Sequence, residues 1–340
     1  MIHVLQELGN RFREFSRPIE GLEEQYDRAE LAVHNAAAAN SWFTLGNIRA
    51  AFAAWAETLQ KDKIEKWLMP YQFRATHWKK VGIIMAGNIP LVGLHDLLSV
   101  LVSGHIAVCK FSSKDSFLMK LVVDELLDID PSLDKKILVP QNLKNMDALI
   151  ATGSNNSMRY FEYYFGHLPH LFRSNRTSIA VLDGRESKEE LKLLADDIFH
   201  YFGLGCRNVT KLFVPADFDL DRIFEAVFHK KDIVQHHKYS NNYDYNKSIY
   251  LLNKELLLEN GFMLLKEDAG IFTPVSVVFY ERYDDVELLK EKIRSDSESI
   301  QCVVSSASLL ENEVPFGKSQ QPELWDYADR VDTLEFLQKL

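Results

Sequence analysis

The chain has 340 residues, enough for about two domains and a substantial buried core. With 46% hydrophobic and 26% charged residues, it falls outside the disordered, collagenous and coiled-coil classes. Its 39 Lys and Arg against 49 Asp and Glu leave a net charge of -10, which disfavours nucleic acid as a partner.

In chain order, residues 1–15 carry Glu7 and Glu14 and have no apolar run, so they do not read as a signal peptide. The first eighty residues read as helical. One helix is predicted over 22–39 and a second over 43–59 with Ser41 as its cap. Packing or an oligomer contact is the expected role of this region.

From residue 80 the texture changes. Apolar runs at 81–86, 106–111, 136–140, 148–152 and 178–182 predict strands. Helices are predicted over 91–103, stopped by Gly104, and over 115–127, 155–165 and 188–202. The stretch 81–109 is the most apolar, but Asn88, Pro90, His95, Asp96 and His105 interrupt it, so no membrane span is expected. Strands apolar on both faces and alternating with helices predict a doubly wound parallel sheet. In such sheets ligands bind at the carboxyl ends of the strands, where Asn88, Ser112 and Gly153 fall.

A second α/β unit is predicted from residue 203, with strands at 211–215, 275–281 and 299–306 and helices over 220–228 and from 284. The expected domains are 1–202, carrying the N-terminal helices and the first sheet, 203–316, carrying the second α/β unit with Cys206, and 317–340. The last segment is expected to return to the first domain or to an oligomer interface.

Three widely spaced cysteines make neither a disulfide framework nor a zinc pattern, which suits a reducing cytoplasm. Cys109 and Cys302 fall inside predicted strands and read as core. Cys206 lies in Gly203-Leu204-Gly205-Cys206-Arg207-Asn208, a loop at the junction. Its surroundings admit two readings, a nucleophile favoured as thiolate by Arg207 or a small buried hydrophobe. Asn88 follows a strand and reads as either an oxyanion donor or a turn asparagine. Thr152-Gly153-Ser154 opens a helix and reads as a phosphate site or a plain N-cap. Neither G-x-G-x-x-G, Walker A nor G-x-S-x-G occurs. The stretch 236–247 reads as a polar loop, and no metal site is expected.

Together these segments resemble the aldehyde dehydrogenase superfamily, and within it the LuxC family of acyl-CoA reductases. The resemblance rests on motif order over about residues 81–332. Gly82 to Pro90 resembles the strand and oxyanion asparagine, and Ser103 to Ser113 the cofactor strand. Ala151 to Ser154 is similar to the Thr-Gly-Ser turn and Gly205 to Asn208 to the nucleophile segment. Ile271 to Pro274 and Pro315 to Gly317 resemble later landmarks.

The resemblance implies an aldehyde-dehydrogenase-like α/β fold in which Cys206 and Asn88 are catalytic. Lys110, Ser112, Ser113, Thr152, Gly153 and Ser154 would bind the cofactor. Three departures carry information. The stretch matching the general-base segment is Phe172-Arg173-Ser174-Asn175-Arg176, which has no carboxylate, so acyl exchange with a thiol is expected in place of hydrolysis. Ser113 followed by Lys114 stands where an acid often repels a 2′-phosphate, which implies NADPH, with NADH the alternative. Gly270 stands where a ribose-binding glutamate is common. The implied activity is reduction of an acyl-CoA or other acyl thioester to aldehyde by a homo-oligomer. The alternatives are a hydrolytic aldehyde dehydrogenase and a non-catalytic scaffold.

Overall fold

The structure is a computed structural model and describes residues 1–18, 24–73, 78–307, 309–310 and 313–340, with backbone alone for 24–27. The chain forms two compact units, Met1–Asn175 with Pro322–Leu340, and Arg176–Gln321.

The first unit opens with helices α1 (Ile2–Phe15), α2 (Glu24–Ala39), α3 (Leu45–Thr58) and α4 (Lys61–Leu68). Leu5, Leu8, Phe12 and Phe15 recur at helical spacing along α1 and are buried. Phe12 and Phe15 meet Phe52 of α3 at ring-centroid distances of 5.2 and 5.7 Å. The helix predicted from residue 22 has its first residues outside the described part. Thr44 rather than Ser41 caps α3. It holds the extended conformation a cap needs, and its hydroxyl accepts from Asn47 N at 3.1 Å.

The sheet of this unit follows, with β1 (Lys80–Ile84), α5 (Leu94–Val102), β2 (Ile106–Lys110), α6 (Ser116–Ile129), β3 (Ile137–Leu138), β4 (Ala148–Thr152), α7 (Asn155–Phe165) and β5 (His170–Arg173). The five strands run parallel in the order β3-β2-β1-β4-β5. Parallel neighbours need long crossovers, which the intervening helices supply, and burial on both faces explains the apolar strands. The winding reverses at β1, which places its carboxyl end at the switch point. The N-terminal helices pack on α6. Glu125 of α6 is fully buried and paired with both Arg11 and Arg28, and Arg28 also reaches Asp128 at 2.6 Å.

The second unit holds β6 (Thr177–Val181), α8 (Lys188–Phe199), β7 (Val209–Pro215), α9 (Asp221–Val227), α10 (His237–Leu252), β8 (Leu258–Glu259), β9 (Leu264–Glu267), β10 (Val277–Tyr283), α11 (Val286–Ser295) and β11 (Ile300–Val304). Its sheet has the order β11-β6-β7-β10-β9-β8, parallel except for the β8–β9 pair. The second unit therefore begins at Arg176 and not at residue 203. Strand β6 pairs with β7 and β11, so β6 and α8 open the second sheet. Residues 322–340, including α12 (Thr333–Gln338), pack with the first unit, where His105 Nε2 lies 2.9 Å from Leu337 O.

The stretch 236–247 is not a loop. It forms most of α10, and Tyr239, Tyr243 and Asn246 line its buried face at i, i+4 and i+7. These residues are polar at their tips, so the helical stripe escapes a reading of apolar residues alone. Tyr239 OH donates to Phe262 O at 2.9 Å and Asn246 Nδ2 to Val275 O at 2.9 Å.

Candidate functional site

In the first unit, the carboxyl ends of β2, β1 and β4 lie side by side. Ile84 pairs with Lys110 on one side and with Ala151 on the other. This register brings the Asn88 turn, Lys110 to Ser113 and Thr152 to Ser154 to one edge of the sheet. Asn88 is exposed, Ser112 and Thr152 are half-buried, and Ser113 is exposed. The first two loops touch: a Cβ on Gly87 would stand 2.5 Å from Ser112 Oγ. Only a glycine permits that approach. Lys110 Nζ donates to Gln141 O at 2.8 Å, so its ammonium is held at the edge of this loop cluster.

Ser154 is the N-cap of α7 and its hydroxyl accepts from Ser157 N at 3.3 Å. A Cβ on Gly153 would meet Ser157 Cβ at 2.9 Å, so the backbone passes close to the first turn of the helix. The first N–H groups of a helix have no partner within it, and a phosphate suits them.

In the second unit, α8 starts on a capping box between Ser187 and Glu190 and ends at Phe199. Three consecutive residues then take left-handed conformations, with φ of 50° at Tyr201, 59° at Phe202 and 76° at Gly203. Two of them are not glycine, and each such residue costs on the order of 1–3 kcal/mol. The turn delivers a half-buried Cys206 at the amino ends of β6 and β7. Cys206 thus lies between a helix and the strand that follows it, as expected from sequence, at the amino edge of its own sheet.

What holds the strained turn is fully buried Asn208. Its Oδ1 accepts from Gly205 N at 2.8 Å. Its Nδ2 donates to Asp197 O, Ile198 O and His200 O at 3.0, 3.3 and 2.9 Å. Ser178 Oγ donates to Cys206 O at 3.1 Å. Arg207 Nε donates to Ser319 O at 2.5 Å, and Asp197 accepts from Gly317 N and Ser319 N at 2.7 and 3.0 Å. Burial pushes the Asp197 carboxyl above the usual range, against those hydrogen bonds. Asn208, Ser178 and Asp197 were missed from sequence. Asn208 stood in the quoted motif, but nothing local marks a residue whose partners lie at the end of the preceding helix.

Cys109 and Cys302 are buried in β2 and β11. Burial pushes the Cys109 thiol up to about 12. Cys302 Sγ lies 3.1 Å from Ser178 Oγ.

The family described as acyl-CoA reductase (LuxC) matches residues 2–230. The chain belongs to the LuxC family. Two relatives carry the same kinship. Long-chain acyl-protein thioester reductase 2 of Photobacterium leiognathi is 22% identical over 218 residues, 56% of this chain and 45% of that protein. Long-chain acyl-protein thioester reductase of Vibrio harveyi is 23% identical over 150 residues, 39% of this chain and 31% of that protein. The chain thus spans under half the length of the curated relatives it matches.

Among solved structures, aldehyde dehydrogenase 21 from Physcomitrella patens covers 100% of this LuxC-family chain and 84% of its own, with TM-score 0.68 and 12% identity. An E. coli NADP-dependent enzyme covers 93% and 79%, with TM-score 0.65 and 12% identity. The fold is therefore aldehyde-dehydrogenase-like. Two of the stretches singled out in sequence have definite partners. Arg173, in the stretch without a carboxylate, is buried and reaches Asp96 at 2.5 Å and Thr333 Oγ1 at 2.7 Å. Gly270 N donates to Asp268 Oδ1 at 2.8 Å. Among the described residues no group of three His, Cys, Asp or Glu is placed to hold a metal, and no helix is long and apolar enough to cross a membrane.

Proposed function

We propose that this LuxC-family protein reduces a long-chain acyl thioester to the aldehyde, with Cys206 as nucleophile and NADPH as reductant. The observation that carries the reading is the thiol loop, in which a half-buried cysteine follows three left-handed residues fixed by buried Asn208. Structures keep such strain where a reactive group must be presented in one geometry.

The Cys206 thiolate attacks the thioester carbonyl carbon, and the carrier thiol departs as the tetrahedral intermediate collapses. The Asn88 amide is assigned the donor to the oxyanion, a role typically worth about 3 kcal/mol in the transition state. A reduced nicotinamide, when bound, supplies hydride to the acyl carbon. Cys206 then leaves as thiolate and the aldehyde is free.

The residues at the β2, β1 and β4 ends fit a dinucleotide. Gly87 keeps the first two loops in contact, Ser112 and Ser113 offer hydroxyls, and the first turn of α7 offers N–H groups to a phosphate. Ser113 and Lys114 in place of an acid favour a 2′-phosphate, hence NADPH. Arg173 is occupied by Asp96, and the stretch 172–176 supplies no base for water. That favours acyl exchange with a thiol over hydrolysis.

The names of the relatives favour a long chain carried on protein, and the family description favours coenzyme A. Intact-mass analysis after incubation with palmitoyl-CoA or with palmitoyl-acyl carrier protein tests both. A mass increment of one palmitoyl group mapping to Cys206 is expected, discharged as aldehyde on adding NADPH. An increment on another residue, or none with either carrier, would overturn the reading.

A further inference from the structure

The Asn88 turn contains a conformation that needs support. Leu91, three residues on, has φ 59°, a left-handed backbone carried by a branched and fully buried side chain. Its N–H donates to Asp115 Oδ2 at 2.8 Å. Its carbonyl accepts from Leu94 N at 3.0 Å and so starts α5. Asp115 itself is almost fully buried at 1% exposure, and its other oxygen, Oδ1, has no hydrogen-bond partner among the described residues.

Asp115 sits at the base of the neighbouring loop. Its N–H donates to Ser112 O at 3.1 Å, and its carbonyl accepts from Met119 N at 3.3 Å at the start of α6. The same carboxyl group therefore joins the β1–α5 turn to the β2–α6 turn. A buried carboxylate with one N–H donor is poorly compensated, and burial pushes this carboxyl well above the usual range. At this buried position the group serves Leu91 as an acceptor oxygen.

We infer that Asp115 is a positioning residue for Asn88, locking Leu91 in its left-handed conformation and so fixing where the Asn88 amide points. The inference rests on the assignment of Asn88 as oxyanion donor. Its geometry can also be tested without that assignment.

The variants are Asp115→Leu, which keeps bulk and removes the acceptor, and Asp115→Asn, which keeps it. Each is made alone and in an Asn88→Ala background. The readouts are palmitoyl-CoA reduction with NADPH and amide hydrogen exchange at Leu91. We expect Asp115→Leu to lower kcat by roughly tenfold to a hundredfold, within the loss from Asn88→Ala itself, with the KM for NADPH changed by less than about threefold. Asp115→Asn should stay within about threefold of the parent in kcat. In the Asn88→Ala background, Asp115→Leu should add less than about twofold, because a residue acting only through Asn88 has nothing left to position. Leu91 exchange should be slow in the parent and in Asp115→Asn, and fast in Asp115→Leu.

Equal losses from Asp115→Leu in both backgrounds would overturn the inference. So would a raised KM for NADPH at unchanged kcat, or slow Leu91 exchange without the acceptor. If Asp115→Leu does not fold, Asp115→Asn decides, and a kcat as low as that of Asn88→Ala with Leu91 still protected would overturn it. If Asn88→Ala retains parental kcat, the assignment of Asn88 fails, while Leu91 exchange still decides the clamp.

Discussion

Asn208 closes the thiol loop on itself, its side-chain oxygen accepting from Gly205 N at 2.8 Å while its amide nitrogen spans three carbonyls at the end of α8. The left-handed run at Tyr201 to Gly203 lies between these anchors. Asn208→Ala leaves several buried backbone groups without partners, and each costs about 1–3 kcal/mol. We expect a loss of about 3 kcal/mol in urea unfolding, with Cys206 acylation slowed in whatever remains folded. Asn208→Asp should be worse, because a carboxylate would face three carbonyl oxygens.

Thiol reactivity should follow exposure. Cys206 is half-buried, whereas Cys109 and Cys302 are buried and the Cys109 thiol is pushed up to about 12. Iodoacetamide at neutral pH should label Cys206 first in peptide mapping, with Cys109 unlabelled until the protein unfolds. Preincubation with an acyl thioester should protect Cys206.

The Arg173–Asp96 pair is a structural tie, with both side chains 7% exposed. Removing one partner strands a buried charge. Arg173→Met should therefore destabilise the first unit by about 3–5 kcal/mol, read as a lower melting temperature. Pairing it with Asp96→Leu should recover much of that loss. No hydrolytic activity on thioesters should emerge in either variant.

Ser113→Glu tests the nicotinamide preference. A carboxylate placed at this exposed position would oppose a 2′-phosphate. The ratio of kcat/KM for NADPH over NADH should fall by roughly tenfold or more, measured by steady-state kinetics with each cofactor. An unchanged ratio would move the 2′-phosphate contact elsewhere.

His95 sets an acid limit on the first unit. It is half-buried between α4 and Tyr327, its Nε2 lies 2.9 Å from Leu324 O, and desolvation lowers its pKa below the usual 6.5. The folded state thus resists a proton that the unfolded chain accepts. The contribution of His95 is complete above the ordinary value and is lost as pH falls through the depressed one. Melting temperature should drop as pH falls from about 6.5 to 5, and less steeply in His95→Gln, whose side-chain amide can also donate to Leu324 O.

Much of the fold is written locally. The apolar strands of the first sheet, the Gly104 stop at φ 85° and the burial of Cys109 and Cys302 follow from residue type and spacing. That Asn88, Ser112 and Gly153 follow the carboxyl ends of strands comes from the alternation, whereas the neighbourhood of those strands comes from the sheet order. Three things were not legible. The division at Arg176 depends on β6 pairing with β11, whose residues lie more than a hundred positions on. Helix α10 buries Tyr239, Tyr243 and Asn246, and their polar tips disguise the stripe. The support of the thiol loop by Asn208 and Ser178 is a matter of long-range hydrogen bonds, which no local pattern encodes.

The final segment, Pro322–Leu340, belongs to the same unit as residues 1–175, so the second unit is an insertion within the first. Arg173 waits for Thr333, His95 for Leu324 and His105 for Leu337. During synthesis the first unit would therefore emerge from the ribosome incomplete, while the whole inserted unit, continuous in sequence, is free to fold first. The nascent sheet would be vulnerable to aggregation over that interval, a period in which chaperones have most to offer.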